Sequence, residues 1–179
     1  VCSSDLVVSG SGEMMGSVSG GCVEGAVVVE AMDALEDGAP RLLEYGVSDG
    51  DAFAVGLACG GTIRILVEPI GTAMPAAMLE ALVAARAARR QIAYVEDLED
   101  WTRRLDDTGH ATRFASDRTG VEDDGRTFVA VHNPPLRLVI VGAVHIAQAL
   151  VPMARIAGYD PIIIDPRAAF GSETRFPGE

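Results

Sequence analysis

The sequence predicts an α/β protein: a mixed α+β region over residues 7–132, a connector over 133–137, and the start of a Rossmann-like parallel unit over 138–179. Three patterns carry that expectation. A glycine- and serine-rich loop, Gly16-Ser-Val-Ser-Gly-Gly-Cys-Val-Glu24, runs straight into an amphipathic helical stretch. Thr62-Ile-Arg-Ile-Leu-Val-Glu68 alternates as a half-buried strand does. Leu138-Val-Ile-Val141, a glycine turn, a helical stretch and Pro161-Ile-Ile-Ile164 then follow one another as strand, helix and strand.

Composition narrows the function classes. Hydrophobic residues make up 49% of the 179, enough for a sizeable core in one medium or two small domains. A formal charge of −12 argues against nucleic-acid and anionic-membrane partners, since neither polyanion is attracted to it. All 14 basic residues are arginine, which removes Schiff-base and P-loop lysine chemistry. The three cysteines, Cys2, Cys22 and Cys59, form no disulfide framework and have no ligand spacing for structural zinc. No apolar run approaches the roughly 18 residues of a membrane span, so the reading is cytoplasmic. Residues 1–6, Cys2 among them, read as a non-native extension, and the chain reads as a fragment truncated on both sides.

In chain order, glycines 16, 20 and 21 allow positive φ or a close approach to a ligand. The helix after them is expected over residues 23–37, stopped by Gly38-Ala-Pro40, and Cys22 in its first turn would ionise more easily. The helix start offers N–H groups and a positive dipole end to an anion. Val23, Val27, Val28, Ala31, Met32 and Leu35 share the apolar face. Glu24 falls inside that apolar arc and points to the interior or the loop, either as a capping-box carboxylate reaching back to Gly20 or Gly21, or as a ligand or proton-transfer group.

Strands are expected over 42–46 and 53–57, the second leading into Ala58-Cys-Gly-Gly61, a second small-residue loop that carries Cys59, Gly60 and Gly61. Residues 74–90 form an Ala-rich helix with Pro75 in its first turn and Arg86, Arg89 and Arg90 as a solvated, dipole-complementing end. Residues 92–95, 111–115 and 127–131 are further strand candidates, and the acidic segment 96–107 is assigned to the surface, with Trp101 as a packing anchor.

The two prolines of Asn133-Pro-Pro-Leu-Arg137 make a stiff connector. Beyond it, Gly142-Ala-Val-His-Ile-Ala147 keeps only part of the dinucleotide fingerprint: Val144 replaces the second glycine and Ala147 the third. The helix is expected over 146–157, kinked at Pro152, and Asp165 stands where a ribose hydroxyl would be bonded. His145 reads as a helix-start or domain-contact residue.

Gly16-Ser-Val-Ser-Gly-Gly-Cys-Val-Glu24, Gly56-Leu-Ala-Cys-Gly-Gly61, Val141-Gly-Ala-Val-His-Ile-Ala147, Asp165-Pro-Arg167 and Arg175-Phe-Pro177, in that order, resemble the XdhC/CoxI family. The resemblance implies an accessory protein for xanthine dehydrogenase- or CO dehydrogenase-type molybdenum hydroxylases. Such a protein binds molybdenum cofactor as cargo, protects it while a cysteine desulfurase supplies the terminal sulfur, and helps insert it into the apo-enzyme. It implies cofactor-handling positions at Ser17, Ser19, Gly20, Gly21, Cys22 and Glu24, with Cys59, Gly60 and Gly61, and a Rossmann-type set at Gly142, Val144, His145, Ala147 and Asp165. A homo-oligomer without catalytic turnover of its own is the expectation. The alternatives are an NAD(P)-dependent oxidoreductase and a purely structural protein-interaction module.

Overall fold

The computed structural model describes residues 5–46 and 61–177. The expected strand over 53–57, and Cys59 and Gly60 of the second loop, lie outside the described residues. Among those described, the chain opens with a hairpin of β1 (Leu6–Val8) and β2 (Met14–Gly16), in which Leu6 pairs with Gly16 and Val8 with Met14. Leu6, set aside with the first residues, enters this pairing and packs on the core below it. Gly16 has φ +100°, and a Cβ there would lie 2.1 Å from the Asp5 carbonyl oxygen, so no other residue fits the turn out of β2.

Helix α1 (Glu24–Asp37) ends at Gly38, whose N–H bonds the Ala34 carbonyl. Its buried stripe is Glu24, Val27, Ala31 and Ala34, spaced three and four apart. Leu35, expected on the inner face, is 42% exposed. Ala34 faces inward instead, beside the expected Ala31, against the hairpin of β3 (Arg41–Tyr45) and β4 (Ile63–Val67). These strands pair from Arg41 with Val67 to Tyr45 with Ile63. As the alternation predicts, Ile63, Ile65 and Val67 share the side that meets α1, and Leu66 turns to the next cluster.

That cluster joins Leu82 and Ala85 of α2 (Ala76–Ala87) to Ile92 and Tyr94 of β5 (Ile92–Asp97). The sheet behind it is antiparallel, in the order β6 (Arg103–Asp106), β5, β8 (Thr127–His132), β7 (Gly120–Val121). Its other face, Ala93, Val95 and Val129, is covered by Phe114. Two expectations fail here. Residues 111–115 are not a strand but helix α3 (Ala111–Ser116), entered through His110 at φ +59°. A helix this short has no propensity to hold it, so it forms because Phe114 is buried and Arg113 bonds Glu122 and the Val121 carbonyl. The acidic segment 96–107 is not all surface: it contains β6, and Glu96 is fully buried at 0% exposure. Trp101 sits at the tip of the β5–β6 hairpin, half-buried, at φ +59°. Phe114→Ala should cost about 3 kcal/mol in a denaturant titration; a loss below about 1 kcal/mol would mean that Phe114 does not pin α3.

Residues 137–164 form a separate parallel unit: β9 (Arg137–Val141), α4 (His145–Ile156) and β10 (Asp160–Ile164). Arg137 pairs with Asp160 and Val141 with Ile164. Helix α4 runs through Pro152 to Ile156 and buries Ala147, Val151 and Ala154. Phe176 completes that core with Ala143, so the Arg175-Phe-Pro177 motif serves packing here. Arg89, read as part of a solvated helix end, instead reaches Asp160 at 2.5 Å and the Pro135 carbonyl at 2.7 Å.

Candidate functional site

The loop between β2 and α1 is built around one carboxylate. Glu24, the first residue of α1, is 6% exposed and turns back into the loop. Its Oε1 accepts from the Ser17 hydroxyl (2.6 Å), the Val18 N–H (3.1 Å) and the Ser19 N–H (2.9 Å). Its Oε2 accepts from the Ser19 hydroxyl (2.5 Å) and the Gly21 N–H (2.9 Å). The Ser17 and Ser19 hydroxyls, joined by the Ser19 and Gly21 N–H groups, hold this carboxyl far below the usual range, although burial opposes them. Gly20 and Gly21, at φ +73° and +104°, supply the left-handed turns that aim those donors inward.

The serines close what the carboxylate leaves. Ser17 Oγ takes the Gly20 N–H at 3.0 Å, and Ser19 Oγ takes the N–H groups of Cys22 (3.1 Å) and Val23 (2.9 Å). The Ser17 N–H bonds the Asp5 carbonyl. Every backbone N–H from 17 to 23 therefore has a partner inside the chain. The loop was expected to offer those donors to a ligand anion; its own Glu24 already occupies that place. Of the two roles open to Glu24, the reach-back to Gly21 is the one seen.

Cys22 stands just before the helix rather than in its first turn, since α1 begins at Glu24 with Val23 at the cap. It is a free thiol, half-buried, packed against the α1 core together with Val18. Ile63, two residues after the exposed Gly61, packs on that same core. Residues 61–63 thus rejoin the fold beside the cluster that carries Cys22.

The third loop closes on itself as well. The Gly142 N–H bonds the Ile164 carbonyl at 2.8 Å, and the Ala143 N–H bonds Asp165 Oδ2 at 2.8 Å. Asp165, with its side chain 1% exposed, also accepts from the Arg167 N–H, Nε and Nη2 at 2.8–2.9 Å. Arg167 above all, then the Ala143 N–H, holds its carboxyl well below the ordinary range. Asp165 ties the end of β10 to the glycine turn. Val144 is the extended cap residue of α4, His145 its exposed first residue, and Ala147 is buried against Phe176. The cavity beside Asp165 measures ≈ 150 Å³, below the roughly 300 Å³ at which small-molecule pockets begin. The first and third loops pack into different clusters, so among the described residues the predicted positions fall into two constellations. Among the described residues, no group of three or more His, Cys, Asp or Glu could hold a metal ion, and no helix is long and apolar enough to cross a membrane.

The family model of XdhC and CoxI matches residues 3–46, the stretch that holds the Glu24 loop and α1, and the XdhC Rossmann domain model matches residues 138–179. Over those two stretches the chain is similar to the XdhC and CoxI family. A longer stretch of the chain is similar to the molybdenum cofactor insertion chaperone PaoD of Escherichia coli (strain K12). The two are 31% identical over 160 residues, 89% of this chain and 46% of PaoD. The uncharacterized protein YqeB of the same organism is 33% identical over 69 residues, 38% of this chain and 13% of YqeB. A crystal structure described as a xanthine dehydrogenase from Bacillus halodurans shares the fold, with TM-score 0.75 at 22% identity over 96% of this chain and 55% of that one. The chain spans less than half the length of the two Escherichia coli relatives.

Sequence reasoning singled out Glu24 because it broke the apolar arc of α1. It did not find that Ser17 and Ser19 bind Glu24 rather than a ligand; the signal was the Ser-x-Ser spacing five and seven residues ahead of a buried acid.

Proposed function

We propose that the protein is an accessory chaperone that holds molybdenum cofactor as cargo beside Cys22 and delivers it to an apo-molybdenum hydroxylase of the xanthine dehydrogenase or CO dehydrogenase type. The reading is supported by the matches to the XdhC and CoxI family and its Rossmann domain and by the likeness to an insertion chaperone across 89% of the chain. The observation that carries it to particular residues is the Cys22 loop, whose backbone donors are all internally satisfied, so that the half-buried thiol is the group there left without a bond. A soft sulfur donor suits a molybdenum centre or its sulfur ligands. With Glu24 in place, the 17–23 N–H groups do not take the cofactor's phosphate.

Sulfuration by a cysteine desulfurase while the cofactor is held, a homo-oligomeric state and a cytoplasmic location belong to the same proposal. A nicotinamide-nucleotide oxidoreductase is the weaker reading, because Asp165 is engaged by Arg167 and Ala143 and a valine side chain occupies position 144.

The test is retention. Intact protein is mixed with molybdenum cofactor, passed through gel filtration, and assayed for molybdenum per chain. Near-stoichiometric molybdenum in the protein peak is expected. A protein peak without molybdenum would remove the proposal, and a melting shift with NADH or NADPH instead would favour the oxidoreductase.

A further inference from the structure

Four side chains meet where the β3–β4 hairpin leans on the four-stranded sheet. Glu96 of β5 is completely buried, and Arg103 is its cross-strand partner on β6. Arg103 donates Nη2 to Glu96 Oε1 at 2.8 Å and Nη1 to the Ala73 carbonyl, and its Nε lies 3.3 Å from Oε1 of Glu68. Glu68 directly follows β4 and has a side chain only 11% exposed. The Tyr94 hydroxyl lies 2.5 Å from Glu68 Oε1 and 3.2 Å from Glu96 Oε2.

The charges do not balance. Two carboxylates share one guanidinium and one phenol, and a phenol has a single proton to donate. With both acids ionised, the cluster holds one excess negative charge in an interior nearly closed to water. One proton on the acid pair removes that excess and adds a donor between the acids. Burial pushes the Glu68 carboxyl up to about 7; the Tyr94 hydrogen bond and the Arg103 charge oppose this and the Glu96 charge adds to it. Burial and the hydrogen bond to Glu68 push the Tyr94 hydroxyl up as well, so it does not supply the proton. The Glu68 carboxyl carries the proton. The groups that face it are Tyr94 and Glu96 of β5, Arg103 of β6 and the Ala73 carbonyl of the turn before α2; α2 itself brings Leu82 and Ala85 to the neighbouring apolar cluster.

We propose that Glu68, Tyr94, Glu96 and Arg103 form a proton-operated clamp that fastens the β3–β4 hairpin to the four-stranded sheet. Protonated, the cluster is neutral and holds; deprotonated, two carboxylates compete for Arg103 and Tyr94, and the hairpin loosens. The inner face of β4 packs on the core that carries Val18 and Cys22, so the clamp acts on the element beside the Cys22 loop. The clamp stands whether or not that loop binds molybdenum cofactor.

Between about pH 4.5, where an unfolded glutamate titrates, and about pH 7, the folded state binds more protons than the unfolded one. Stability from this cluster is therefore greatest at the acid end of that window and falls as pH rises through it. Hydrogen exchange of the intact protein, corrected for intrinsic rates, tests this at the amides of residues 63–67. Opening at pH 8 is expected to exceed that at pH 6 by roughly tenfold in the wild type. In Glu68→Gln, which fixes a neutral donor, the two values should agree. The same pH dependence in both proteins would overturn the clamp. If Glu68→Gln does not fold, carbon-detected NMR of the Glu68 carboxyl in the wild type decides: a midpoint near 7 supports the clamp, and one near 4.5 overturns it.

Discussion

Glu24→Ala is expected to destabilise the protein by about 3 kcal/mol in urea titration, the range for leaving buried donors of one network unsatisfied. The substitution removes the acceptor of five hydrogen bonds at once: two serine hydroxyls and the N–H groups of Val18, Ser19 and Gly21. No neighbouring side chain replaces it, because Ser17 and Ser19 are already committed as acceptors to Gly20, Cys22 and Val23. Glu24→Gln should lose less, since an amide keeps one acceptor oxygen but sets an NH₂ against donors. The carboxyl is held far below its usual range, so in the wild type its contribution is complete above about pH 4.5 and declines as pH falls below that. Stability of Glu24→Ala should converge on that of the wild type toward low pH. A parallel offset at every pH would show that the loop does not depend on the ionised group.

Arg103→Leu is expected to cost about 3–5 kcal/mol, the range for breaking a buried pair by removing one partner. Its guanidinium serves Glu96, Glu68 and the Ala73 carbonyl together. Without it, Glu96 keeps only the Tyr94 hydroxyl among its neighbours in the cluster, and the Glu68 carboxyl, which the Arg103 charge holds down, rises further. The loss should therefore deepen as pH rises from 5 to 8. Arg103→Lys should recover only part of it, because an ammonium cannot present the planar fork that reaches three acceptors. A loss below about 1 kcal/mol would mean that the cluster is open to water.

What could be read from the chain, and what could not, follows from the distance between interacting residues. The Glu24 loop was legible because its parts lie within eight positions, and a carboxylate inside an apolar arc is a local anomaly. The β9–α4–β10 unit was legible for the same reason: strand, glycine turn, helix and strand follow in order, with Asp165 at the strand end. Residues 111–115 were misread because Thr112 and Phe114 favour strands and the stretch lies between turns; burial of Phe114 under Val95 and Val129 made it a helix instead. Glu96 was assigned to the surface because its neighbours in sequence are acidic. What buries it is Arg103 across a hairpin and the network reaching Glu68, 28 positions earlier, and no local pattern announces either. The anion cradle was recognised as a loop but given the wrong occupant. Local sequence shows that a glycine-rich turn before a helix can hold a carboxylate or phosphate; only the folded loop shows that Glu24 fills it.

Equilibrium binding of molybdenum cofactor to the intact protein, wild type against Cys22→Ser, with the melting temperature of each recorded alongside, bears hardest on the proposed role. We expect the wild type to bind, and Cys22→Ser to bind at least about tenfold more weakly with its melting temperature unchanged, since a thiol on a self-satisfied loop carries little of the fold. Equal affinity in the two proteins would contradict the assignment of Cys22 to the cargo site.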